Sequence, residues 1–185
     1  DVIERFVQRV RTLFSVDRVG LFLCDHASET LLLKVSKGKR GARIPMVGLA
    51  GHVARSGEVL NIRDCYKDER FNPAMDKKEG YRTRTMLCIP IYGTDTSETL
   101  AVLQLINRRD GTTFNHDDED TLLVVGDMLG HTLDKLQAEM SLDSDASYIP
   151  IWRADEDAFR VRVMNVSNLR MPRRRSTFGI MGGGQ

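Results

Sequence analysis

The sequence lacks the residue patterns that announce metal, disulfide or membrane chemistry. Its three cysteines, Cys24, Cys65 and Cys88, are odd in number and widely spaced, with no Cys-x-x-Cys pair and no Cys/His cluster. Neither a disulfide framework nor a zinc site is therefore signalled. Cys24 and Cys88 stand in apolar runs and read as small buried hydrophobes; Cys65 falls in a polar loop and is the only one of the three open to reaction, but a structural role is the favoured reading for all three. An excess of one charge is also missing: the formal net charge of +1 gives no global attraction to nucleic acid or to an anionic membrane. No apolar run approaches the ~20 residues needed to cross a bilayer, so no membrane span is expected. No nucleophile–base–acid set is visible, and the acidic run Asp117 to Asp120 lacks the alternating ligand spacing of a calcium loop. These absences point away from an enzyme and away from metal binding. The chain also lacks an initiator Met and a signal-like start and opens within a helical pattern. It is expected to be part of a larger, cytoplasmic protein.

What is present is a globular composition, 41% hydrophobic and 29% charged over 185 residues, enough for one domain and an appendage. Ile3, Phe6, Val7, Val10, Leu13 and Phe14 repeat at helical spacing. Val19 to Cys24 and Thr30 to Ser36 read as two strands joined by the polar turn Asp25 to Glu29. A basic loop, Lys37 to Arg43, leads through Ile44–Met46 to a short helix over Gly48 to Gly57 that a glycine closes. Val59 to Ile62 is briefly extended. The polar stretch Asp64 to Arg82, punctuated by Pro73 and Gly80, holds one or two short helices but no core strand. Met86 to Tyr92 and Leu100 to Asn107 read as paired central strands. A long helix follows from about Asn115 to Met140, and its seam of Leu122, Val125, Leu129, Leu133, Leu136 and Met140 has the near-heptad spacing of a helix that meets a partner helix. The fold class is α+β: an antiparallel sheet of about six strands, with the N- and C-terminal helices on one face and short helices and loops over a pocket on the other.

Three motifs lie in register with these elements. Asn107-Arg108 is followed after five residues by Phe114 and then, three residues on, by Asp118-Glu119; upstream stand Gly48-Leu49-Ala50-Gly51-His52-Val53 and Gly80-Tyr81-Arg82-Thr83-Arg84, the last followed by Cys88-Ile-Pro-Ile. Over residues 1–141 this arrangement resembles GAF domains, in particular the regulatory GAF domains of cyclic-nucleotide phosphodiesterases. From the residues themselves, carboxylates in the first turn of the last helix suit its dipole, and Asp118 is placed to pair with Arg108. The resemblance implies that Asn107, Arg108, Phe114, Asp118 and Glu119 form a structural motif beside the pocket. It also implies a ligand between the sheet and the helical middle, a cyclic nucleotide such as cGMP or cAMP. Backbone groups of Gly48, Leu49, Ala50 and Gly51 would face its phosphate and ribose, and Thr83 would add a hydroxyl. An aromatic–acid pair, a serine and a glutamate that read the purine in such domains correspond here to Ser36-Lys37, Gly20 and Gln104. The frame is kept and the base-reading groups are changed.

Two functions follow. One is a non-catalytic regulatory module that senses a small molecule, a cyclic nucleotide or another small anion with Lys37 and Lys39 near it, and relays the signal within a larger protein. The alternative is a vestigial-pocket module that acts as a scaffold, forming a homodimer or binding a partner protein through its terminal helices. Redox or chromophore chemistry is disfavoured because the cysteine spacing does not fit the GAF members that perform it. His52 reads as a packing residue of the short helix and His116 as solvent-exposed, while His26 and His131 have no partner assigned. Residues 142–185 read as a linker and a partial strand: Phe159, Val161 and Val163 alternate with Arg160 and Arg162 in a stretch weakly similar to the first strand of a C2 domain. Arg173-Arg-Arg-Ser-Thr resembles a basophilic-kinase substrate, which would make Ser176 a phosphosite, unless the run is a solvated basic linker.

Overall fold

The computed structural model describes residues 2–35, 42–94 and 96–142. Ser36, Lys37 and Lys39, and the whole of 143–185 with Ser176, lie outside the described residues.

Helix α1 (Val2–Leu13) buries Ile3, Val7 and Val10, and Phe14 closes the same stripe, as a 3–4 spacing requires. Strands β1 (Val16–Asp25) and β2 (Thr30–Val35) form a hairpin, and β3 (Ala42–Pro45) adds an edge strand beyond it. Pro45 is tolerated there because an edge position does not need its missing N–H. Helix α2 (Gly48–Ser56) and strand β4 (Leu60–Ile62) follow. A single 3-10 turn (Cys65–Lys67) and helix α3 (Ala74–Glu79) cover the middle of the chain. Strands β5 (Met86–Tyr92) and β6 (Thr99–Arg108) return to the sheet, and helix α4 (His116–Leu142) ends the described part. The six strands lie in the order β3-β2-β1-β6-β5-β4, with every neighbouring pair antiparallel.

Strand alternation divides the core in two. Val19, Leu21 and Leu23, with Leu87, Ile89, Ile91, Ala101, Leu103 and Leu105, face α1 and α4. Cys24, Leu31, Met86, Cys88 and Val102 face the other way and pack under α2. The seam of α4 has a different partner from the one its spacing suggests. Leu122, Leu129 and Leu133 are buried, with Val125 packed beside them, in the core shared with this chain's own sheet. That stretch of seam is occupied by β5 and β6, so it does not meet a partner helix; the side chains of Leu136 and Met140 lie outside the description. The physical cause is close approach: a Cβ at Gly130 would lie 2.0 Å from the Tyr92 carbonyl oxygen. Only glycine lets the helix reach the strand backbone there. Among the described residues no helix is long and apolar enough to cross a membrane.

Candidate functional site

Asn107 organises the stretch that crosses from α3 to β5. It is 2% exposed and ends β6 with φ +53°, a left-handed conformation asparagine adopts more readily than most residues. Its Oδ1 accepts from the backbone N–H groups of Arg84 at 2.7 Å and Thr85 at 3.1 Å. Its Nδ2 donates to Tyr81 Oη and to the Arg82 carbonyl, both at 2.8 Å. Tyr81 is held in turn: the Arg18 guanidinium lies 3.6 Å from its ring centroid, and its hydroxyl donates to Asp17 at 3.2 Å. Burial, followed by the Asp17 charge, pushes the Tyr81 phenol up to about 12.

The rest of the motif joins that strand end to α4. Arg108 donates to Asp118 at 2.7 Å and to Asp110 at 3.2 Å. Asn115 caps the helix through Oδ1, which accepts from Asp118 N–H at 2.9 Å, and Asp118 Oδ2 accepts from Asn115 N–H at the same distance. This reciprocal pair satisfies two backbone donors that a helix start otherwise leaves free. Asn61 on β4 donates to the Phe114 carbonyl at 3.1 Å and to Glu119 at 2.7 Å. Phe114 itself is buried in the core under α1 and α4.

Thr83 is buried and already engaged. Its backbone N–H donates to Asp76 Oδ2 at 2.6 Å and its hydroxyl to Asp76 Oδ1 at 2.9 Å. Tyr66 donates to the same carboxylate at 3.0 Å. Asp76 thus latches α3 onto the strap that Asn107 holds from the other side. This buried acid escapes sequence reasoning because it looks like one more charge in the polar run Asp76-Lys-Lys-Glu.

On the sheet face under α2, Gly20, Gln104 and Cys88 stand side by side across β1, β6 and β5. Gln104 is buried and lies opposite Cys88 in the β5–β6 register. A Cβ at Gly20 would come within 3.0 Å of Phe22 Cε2 and 3.8 Å of Gln104 Oε1. The half-buried Phe22 ring therefore folds back over Gly20, next to the Gln104 amide. The sequence reading missed Phe22, although period-2 alternation from Gly20 puts it on this face. Of the Gly48–Gly51 group, Leu49 and Ala50 turn inward onto this core with Val53 and Ala54. Gly51 touches backbone, since a Cβ there would be 2.4 Å from the Met46 carbonyl. Gly48 lies on the outer side of α2, in an open cleft with Val47, His52, Arg55, Ser56 and Arg70. His52 is also on that side, half-exposed and 3.3 Å from Glu58, so it is not a core packing residue.

Cys65, although it stands in a polar stretch of sequence, has the structural placement expected of all three cysteines. It is fully buried at the foot of the 3-10 turn, with its backbone N–H donating to the Arg84 carbonyl at 2.8 Å. Burial, helped by the charges of Asp68, Asp64 and Asp76, pushes its thiol up to about 12. Cys24 and Cys88 are buried as well, each pushed up to about 12 by desolvation. Since the thiolate is the reactive form, none of the three should react with a thiol reagent in the native protein at neutral pH. Labelling before and after denaturation checks this: full modification on unfolding and little before it is the expected result. Among the described residues no group of three or more His, Cys, Asp or Glu side chains is placed to hold a metal.

The GAF-domain family profile matches residues 1–133. The chain is 36% identical over 134 residues to a probable 3',5'-cyclic phosphodiesterase of Caenorhabditis elegans, covering 64% of this chain and 18% of that protein. It is 40% identical over 106 residues to the dual 3',5'-cyclic-AMP and -GMP phosphodiesterase 11A of Takifugu rubripes, covering 56% and 11%. The chain thus spans less than a fifth of the length of these relatives. The GAF domain of a phosphoenolpyruvate-protein phosphotransferase from Coxiella burnetii superposes with a TM-score of 0.64 at 20% identity, over 73% of this chain and 82% of that one. With the profile covering most of the chain and the fold shared, this chain belongs to the GAF-domain family.

Proposed function

We propose that this GAF domain is a non-catalytic regulatory module that senses a cyclic nucleotide on the sheet face under α2 and relays its binding within a larger signalling protein. The observation that carries this reading is the pairing of the half-buried Phe22 ring with the buried Gln104 amide above Gly20. An aromatic face stacks on a purine, and an amide can both donate to and accept from its edge. The cyclic phosphodiesterases among the relatives support this ligand class. A relay is built into the same strand: Gln104 lies three residues before Asn107, whose neighbour Arg108 grips the first turn of α4 through Asp118.

A scaffold role is favoured by a different observation. Leu49, Ala50, Val53 and Ala54 already pack onto the sheet beside Cys88 and Val102, while Leu13 on α1 and Met128 on α4 are exposed where a second copy or a partner protein could cover them. Thermal unfolding separates the two readings. A ligand at about 100 times its Kd stabilises by about 2.7 kcal/mol through mass action, which for a domain of this size raises Tm by about 8 °C. Such a rise with cyclic GMP or cyclic AMP is expected. An unchanged Tm at millimolar concentrations of both overturns the sensing reading and leaves the scaffold.

A further inference from the structure

Arginine-directed kinases select an arginine three places before the acceptor hydroxyl, a charge pattern that sets their substrates apart. Among the described serines and threonines, Thr12, Thr85 and Thr112 have one, in Arg9, Arg82 and Arg109. The fold separates the three. Thr85 is 7% exposed, and its N–H donates to Asn107. Thr12 belongs to α1, where its hydroxyl donates to the Gln8 carbonyl at 3.0 Å, and a hydrogen-bonded helix does not open into a kinase cleft. Thr112 stands between β6 and α4, where residues 109–113 are all exposed. That turn is held by the Arg109 N–H on the Ser15 carbonyl at 2.8 Å and by the Gly111 N–H on the Arg108 carbonyl at 3.1 Å. A Cβ on Gly111 would meet nothing within 4 Å, so the tip stands clear of the domain.

The Thr112 hydroxyl is wired to the last helix. Its Oγ1 and its backbone N–H both donate to Asp110 Oδ1, at 2.7 and 2.9 Å. Asp110 Oδ2 accepts from Arg108 Nη2 at 3.2 Å, and Arg108 Nη1 donates to Asp118 in the first turn of α4 at 2.7 Å. Arg108 is not fully satisfied by its two carboxylates: its Nε is buried with no hydrogen-bond partner among the described residues. Phosphorylation removes the proton that Thr112 gives to Asp110 and sets up to two negative charges against that carboxylate. The repulsion parts the two groups. Arg108, already in the same network, has a guanidinium that can take the phosphoryl oxygens two at a time, a stronger pairing than either of its present single bonds.

We propose that Thr112 is a phosphorylation site for an arginine-directed serine/threonine kinase, and that its phosphoryl group draws Arg108 from Asp118 and frees the first turn of α4. In the transfer, Thr112 Oγ1 bonds to the γ-phosphorus of ATP and the bond from that phosphorus to the ADP oxygen breaks. The hydroxyl proton passes to the catalytic carboxylate of the kinase. The site does not depend on a nucleotide at the sheet face.

Incubation of the folded 185-residue chain with magnesium ATP and the catalytic domain of a calcium/calmodulin-dependent protein kinase, followed by fragment mass spectrometry, tests the site. Phosphate on Thr112, read apart from Ser176, is expected. Arg109→Gln should slow that transfer about tenfold or more; the side chain is exposed and the backbone bond to Ser15 is kept, so the fold persists. No phosphate on Thr112, phosphate on Thr113 in its place, or an unchanged rate in the variant would overturn the site. Nitrogen-15 NMR of the phosphorylated chain tests the release: the Arg108 Nε–H signal and the Asp118 amide are expected to shift. Both signals unmoved would overturn it. Arg108→Gln keeps Arg109, and phosphorylating that variant should leave the Asp118 amide in place; an equal shift there would also overturn the release.

Discussion

Replacing Asn107 with alanine is expected to destabilise the domain by about 5 kcal/mol, read as a lower denaturation midpoint with an unchanged slope. The side chain makes four hydrogen bonds, two as acceptor and two as donor, each worth about 1 kcal/mol net. Their loss leaves the N–H groups of Arg84 and Thr85 without their acceptor in a part-buried strap, where unsatisfied donors are penalised further. Alanine must also hold φ +53°, which costs about 1 kcal/mol more than for asparagine. Asn107→Asp keeps the acceptor and removes the donor, so its loss should be roughly half as large. A change below about 1 kcal/mol for the alanine variant would mean that the strap is held by other contacts.

Gly130→Ala is expected to be damaging as well, at about 3 kcal/mol, although alanine is the better helix former by about 1 kcal/mol. The new Cβ would lie 2.0 Å from the Tyr92 carbonyl oxygen and 3.2 Å from its carbon. Backbone of a central strand cannot rotate away as a side chain can, so α4 must lift off β5 and loosen Leu129 and Leu133. Gly126→Ala is the internal control. Its Cβ would meet Ile89 Cδ1 at 2.7 Å, the far end of a side chain that can change rotamer, and its effect should be about 1 kcal/mol or less. Thermal melts of the two variants check the order; equal Tm values would contradict the close-approach account.

The parts of this domain legible in the sequence were those governed by period. The apolar spacing of α1, the apolar runs of β1 and β6 and the Asn107-to-Glu119 motif each place residues where the structure has them. Contacts made across the fold were not legible. The 3–4 seam of α4 does not say whether a helix or a sheet receives it, because both accept the same apolar stripe; Gly126 and Gly130 decide for the sheet by letting β5 close in. Cys65 stands in a polar stretch, yet the strap that Asn107 draws across it buries the thiol. Phe22 belongs to a strand that reads as continuous core, and only the missing side chain at Gly20 gives its ring somewhere to lie. His52 departs from its reading as a packing residue, and buried Asp76 goes unnoticed, for the same reason: local polarity cannot tell which face of a short helix looks inward.

The central claim is that Phe22 and Gln104 read the base of a cyclic nucleotide on the sheet face under α2. Titration calorimetry of cyclic GMP and cyclic AMP into the 185-residue chain and into its Gln104→Leu variant tests it most directly. Leucine keeps the volume and removes the amide, so the fold should persist, as the Tm of the unliganded variant will show. The account predicts saturable binding of at least one of the two nucleotides, weakened about tenfold or more in the variant. Binding with equal affinity to both proteins, or no heat with either nucleotide, would contradict it.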